Sequence, residues 1–101
     1  MSKVNDRVGA ILSASGGTAE FLGYGVYVGD HIPVEVAGDM GKALVEAKIP
    51  NPKIALDSGK VVYGCECWWG PEETVKKKLE AFGTIKNVDI DEVRKAYNAE
   101  G

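Results

Sequence analysis

The sequence predicts an α+β domain: a small, twisted antiparallel sheet of four to five strands, in the order β-β-α-β-β-α-β-α, with helices mainly on one face. Three observations predict it. Two pairs of apolar runs are each joined by a short glycine-containing turn, Ser15-Gly16-Gly17 and Asp57-Ser58-Gly59-Lys60. Each pair leads into a helix-periodic segment that a proline ends or begins. The length of 101 residues, with 45% hydrophobic and 27% charged side chains, suits one soluble domain over residues 1–101.

Residues 8–14 read as the first strand and residues 18–28 as a long second one. Along the second, Leu22, Tyr24, Val26 and Val28 share the core row, and Phe21, Gly23, Gly25 and Tyr27 the other. Residues 31–39 form a loop that ends at Asp39, a plausible N-cap. Residues 40–48 then read as a helix with Met40, Ala43, Leu44 and Ala47 on one stripe. Pro50-Asn51-Pro52 stops it. Residues 53–56 and 61–69 are the second strand pair. Pro71 suits a first helical turn, where Glu72 and Glu73 complement the dipole, and Val75, Leu79 and Phe82 form the apolar stripe. Gly83 is a C-cap candidate. Residues 84–88 read as a short edge strand or extended segment. Asp89 and Glu92 have capping-box spacing for a last helix to about Asn98, with Val93, Ala96 and Tyr97 inward.

Charge excludes some partners. The net charge is −3, and the densest basic run, Lys76-Lys77-Lys78, is flanked by Glu72, Glu73 and Glu80. That run reads as the solvated side of a helix, so no nucleic-acid partner is expected. No apolar stretch approaches the ~20 residues of a membrane span, so no membrane partner is expected either. The first seven residues lack the apolar block of a signal peptide, and a cytoplasmic setting with reduced cysteines is expected.

The segment Gly64-Cys65-Glu66-Cys67-Trp68-Trp69-Gly70-Pro71 gathers both cysteines and both tryptophans. Read as a strand, it turns Cys65, Cys67 and Trp69 toward the core side. Glu66 and Trp68 then lie on the opposite face, with Gly64 leaving room beside them. A carboxylate beside an indole suits a flat ring bearing an N–H donor, and also suits an exposed sheet face or an oligomer interface. Tyr27, Trp69 and the Asn51-Pro52 loop would complete such a ligand site, and Gly23 and Gly25 would let a ring lie flat on the sheet. A bulge or close packing explains those glycines equally well.

The thiols read as small buried hydrophobes, as part of an intersubunit metal site, or as a redox pair. Two Cys and one His are too few for a structural zinc site within one chain. His31 has no histidine partner, and no Gly-x-Ser-x-Gly, phosphate-cradling loop or dinucleotide fingerprint occurs. Pro71, Glu72 and Glu73 oppose anion binding at the helix they start. No catalytic residue, metal or cofactor is therefore expected.

The strings Gly9-Ala10-Ile11-Leu12-Ser13, Phe21-Leu22-Gly23-Tyr24-Gly25-Val26-Tyr27, Ile49-Pro50-Asn51-Pro52-Lys53-Ile54 and Gly64-Cys65-Glu66-Cys67-Trp68-Trp69-Gly70-Pro71-Glu72 resemble a family of small bacterial and phage proteins with no assigned activity. The resemblance spans about residues 8 to 82. It implies a setting in which small proteins inhibit host enzymes or sequester host nucleotide signals, in the bacterial host cytosol if phage-encoded. The leading expectation is a non-enzymatic protein that binds a small nucleotide-like ligand, an anti-defence role if phage-derived. A protein-interaction module that inhibits a host protein and a cysteine- or metal-dependent activity are the alternatives. A homo-oligomer is expected, because an aromatic sheet face left bare by the helices favours self-association.

Overall fold

The computed structural model describes residues 3–100. The elements run β1 (Arg7–Ser15), β2 (Thr18–His31), α1 (Gly38–Glu46), β3 (Asn51–Leu56), β4 (Val61–Tyr63), β5 (Trp68–Pro71), α2 (Glu72–Glu80), β6 (Thr84–Asn87) and α3 (Ile90–Glu100). The mixed α+β order is the expected one, with one difference. Residues 61–69 are not a single strand: they split into β4 and β5, so the sheet has six strands.

The spine is β2. It pairs along one side with β1 and along the other with β3 and β6, giving the order β4-β3-β2-β1-β5 with β6 also against β2. All pairings are antiparallel except β6, which runs parallel to residues 18–21 of β2. The split moves β5 across the sheet. β4 stays beside β3, whereas β5 pairs with Val8–Ile11 of β1 on the far side.

The faces of β2 also differ from simple alternation. The register steps from Ala10↔Gly23 to Ile11↔Phe21, so Leu22 has no partner and forms a bulge. The extra residue reverses the alternation. Leu22 joins Val8, Ala10, Ile54, Leu56, Val62 and Ile90 in one core, and Phe21 joins Ile11, Ala19, Val75 and Leu79 in the other. Phe21 and Tyr24, expected on opposite faces, meet edge-on with ring centroids 4.8 Å apart.

Two cores mean two covered faces. α2 lies on one, through Val75 and Leu79. α3 lies on the other, through Ile90 and Val93, and α1 packs on α3 rather than on the sheet. The expected bare face is therefore partly occupied by α2. Because α1 does not reach the sheet, Met40, Ala43 and Ala47 stay exposed, Leu44 is half-buried, and Gly41 is the residue it buries. Asp39 lies in the first turn rather than at the cap, which is Ala37. Ala96 and Tyr97, expected inward, are exposed.

Both glycines of the predicted ligand surface have structural jobs. Gly23 sits at the bulge with φ +138°, a conformation that L side chains rarely adopt. Gly25 lies so close to β3 that a Cβ there would sit 2.7 Å from the Leu56 Cα and against the Ala55 carbonyl oxygen. Backbone cannot yield as a side chain does. Gly25→Ala is expected to destabilise the fold by about 2–3 kcal/mol in urea unfolding. A loss below about 0.5 kcal/mol would contradict this close approach.

Candidate functional site

The turn between β4 and β5 is built on hydrogen bonds that end the strand. Gly64 N–H donates to the Pro52 carbonyl at 2.8 Å, and Glu66 N–H to the Tyr63 carbonyl at 2.9 Å. The Cys67 thiol donates to that same carbonyl at 3.4 Å. The Glu66 carboxylate then turns back and accepts from Tyr63 N–H at 3.1 Å. The chain thus closes on itself locally instead of continuing as an extended strand.

Glu66 is anchored from a distance. Arg94 of α3 donates through Nε to Oε2 at 2.9 Å and through Nη2 to Oε1 at 2.8 Å, a bidentate pair. Nη2 also donates to the Val61 carbonyl at 2.9 Å. The Arg94 and Glu66 side chains are only 12% and 8% exposed. Burial by itself would lower the Arg94 pKa. Hydrogen bonds and charge from Glu66, with Glu35 and Asp91 beyond, outweigh it and hold the guanidinium above its usual range. Close by, Tyr63 O–H donates to Glu35 at 2.5 Å, and burial, then Glu35, raises the phenol.

Beside this pair is a cavity of about 370 Å³. Its walls are residues 36–40, which lead into α1; the Cys65–Glu66 turn; and Val93, Arg94 and Tyr97 of α3. Leu12 also lines it. The size falls in the range of small-ligand pockets. A shallower groove of about 290 Å³ lies around Trp68, with Ile11, Ser13, Ala14, Lys78 and Phe82.

The residues expected to form one site occupy several places. Tyr27 and Trp69 stack, with centroids 5.1 Å apart, against the core shared with α3, and Tyr27 O–H donates to Asp30 at 2.7 Å. Trp68, 44% exposed, belongs to the α2 side, with Lys78 Nζ 4.7 Å above its ring. Asn51 pairs with His31 at the start of β3. Of the expected set only Glu66 reaches the cavity. The expected pairing of Glu66 and Trp68 side by side does not form, because the turn separates them before β5 begins.

Sequence reasoning missed Arg94, Glu35, Tyr63 and residues 36–40. Arg94 stands among Asp91, Glu92 and Lys95, a run that looks like solvated helix surface. The available signal was indirect. A carboxylate held between two cysteines and two tryptophans needs a cation if it is buried.

The thiols are quiet. Burial, then Glu66 and Cys65, pushes Cys67 up to about 12, and burial with Glu66 also raises Cys65. Among the described residues no group of three or more His, Cys, Asp or Glu is placed to hold a metal, and no helix is long and apolar enough to cross a membrane. Compared with protein-family models, curated proteins and solved structures, the chain matches none of them.

Two outcomes follow from this geometry. Arg94→Met leaves the Glu66 carboxylate buried without its cation and should cost about 3–5 kcal/mol in urea unfolding. Arg94→Met combined with Glu66→Met should recover most of that loss, and equal losses in both variants would show that Glu66 is not buried. The second outcome concerns pH. The Cys67 pKa is higher folded than unfolded, so its contribution to stability is complete below the unfolded thiol value of about 8.5. It is lost as the pH climbs toward about 12. Native protein at about pH 8 should therefore present only Cys65 to a thiol reagent, and both cysteines after unfolding.

Proposed function

We propose that this protein is a non-enzymatic small-molecule-binding protein and that its site is the cavity between α1, α3 and the Cys65–Glu66 turn. The observation that carries the reading is that cavity, enclosed on several sides and lined by a buried ion pair. Apolar walls with a few convergent polar groups are what small-molecule sites share. Catalysis has little support in the same place. The thiols are held protonated, and His31 is exposed and bonded to the Val28 carbonyl. The ligand is nucleotide-like, and the protein sequesters it in the cytosol, the setting implied by the resemblance to small phage and bacterial proteins.

A second reading is favoured by a different observation. β5 covers β1 only over Val8–Ile11, so residues 12–15 keep an open strand edge next to the Trp68 groove. An added strand from a partner protein or a second copy would fit there, which is the route to a homo-oligomer or a host-protein inhibitor.

One set of variants separates the two. Thermal shift and calorimetry against nucleosides and against linear and cyclic nucleotides should find a ligand with a Kd near 1 μM, about −8 kcal/mol. Met40, 50% exposed, lines the cavity. Met40→Trp should abolish that binding without lowering the melting temperature, and Trp68→Ala should leave it intact. Loss through Trp68→Ala alone, together with a smaller sedimenting mass, moves function to the groove. Silence across the whole panel sinks the ligand class.

A further inference from the structure

The hydrogen bonds of Arg94 say what kind of ligand the cavity accepts. A guanidinium has five N–H donors. The Nε–H is used by Glu66, and the two N–H groups of Nη2 by Glu66 and Val61. Among the described residues the two N–H groups of Nη1 have no acceptor. Among the described residues no buried side-chain nitrogen or oxygen lacks a partner, so Nη1 is open to solvent. Arg94 is nearly enclosed and lines the cavity, so its open atom is a donor presented there.

Charge narrows the ligand further. Glu66 faces the guanidinium, Glu35 and Asp91 act on it from farther out, and Asp39 stands in the cavity wall. Asp91 is itself paired with Lys60 Nζ at 2.8 Å, so Arg94 is left among three carboxylates, those of Glu66, Glu35 and Asp39. A phosphate dianion entering this space would meet net repulsion. A cation fits poorly too. Oε1 of Glu66 already accepts from Tyr63 and Arg94, Oε2 accepts from Arg94, and the open hydrogens on Nη1 are positive. What remains is a neutral acceptor on a flat apolar body, which Leu12, Val36 and Val93 can bury.

We propose that the cavity holds the uncharged base of a nucleoside, with a ring carbonyl or ring nitrogen accepting from Arg94 Nη1, and leaves any phosphate outside in water. This rests on the small-molecule reading above and narrows it. The Asp39 carboxylate serves as acceptor for a base N–H and keeps phosphate from the wall.

The test uses guanosine, adenosine and uridine, their 5′-monophosphates, and inorganic phosphate. Calorimetry gives affinity, and protection of Cys65 from alkylation reports occupancy independently, because Cys65 lines the cavity. At least one nucleoside should bind and protect Cys65, with its monophosphate no more than about threefold tighter and with little salt dependence. Inorganic phosphate should neither compete nor protect. Asp39→Asn should raise the monophosphate's affinity relative to the nucleoside's. Arg94→Lys, which keeps the charge and loses the planar donors, should weaken the nucleoside at least tenfold, about 1.4 kcal/mol. Should Arg94→Lys fail to fold, the Asp39→Asn ratio and the phosphate competition decide the matter without it. A monophosphate bound tenfold or more tighter than its nucleoside, or competition by phosphate alone, overturns the inference and leaves a ligand site standing. Failure of every nucleoside and nucleotide to bind or to protect Cys65 overturns both.

Discussion

The Glu66–Arg94 pair is the constraint on which this structure turns. It joins residues 28 apart in sequence, one in the turn after β4 and one in the last helix. Through Glu66 it closes the turn on Tyr63, and through Arg94 it also holds the Val61 carbonyl. One ion pair therefore docks α3 onto the end of β4 and stops the strand there. A buried pair of this kind adds little net stability over apolar residues, but it is specific, because either partner alone would be a buried charge.

The rest of the site follows from that docking. With the strand stopped, the chain crosses the sheet and β5 pairs with β1. Trp68 and Trp69 then separate, one toward α2 and Lys78 and the other toward Tyr27. With α3 held at Glu66, α1 rests on α3 instead of on the sheet, and the space between them is the cavity. The same pair shapes its electrostatics. It places a guanidinium edge in an otherwise acidic setting, and its carboxylate adds to burial in raising the half-buried Cys65 and Cys67 thiols.

Local signals in the chain were legible where physics is local. The glycine turn at residues 16–17, the helix after Pro71 with Val75 and Leu79 buried, and the short strand before the last helix all stand where the pattern put them. Period-2 and period-3.6 patterns and turn residues act over a few positions, so a single segment displays them. The faces of β2 were not legible beyond Phe21. One unpaired residue at Leu22 reverses the alternation, and Gly23 reads alike whether it serves a bulge or a ligand surface.

The candidate site was legible in one residue, Glu66. Cys65 stayed beside it, Trp68 and Trp69 went elsewhere, and its other neighbours in space came from α3 and from residues 36–40 at the start of α1. The sequence by itself determined the order of strands and helices outside residues 61–69, their turns and the apolar stripe of α2. Only the tertiary structure decided that residues 61–69 would divide, that both sheet faces would be covered, and that Arg94 would meet Glu66. The reason is physical. Backbone preferences and amphipathic periods are set by near neighbours, whereas the partner of a buried charge is chosen by three-dimensional docking that no local pattern records.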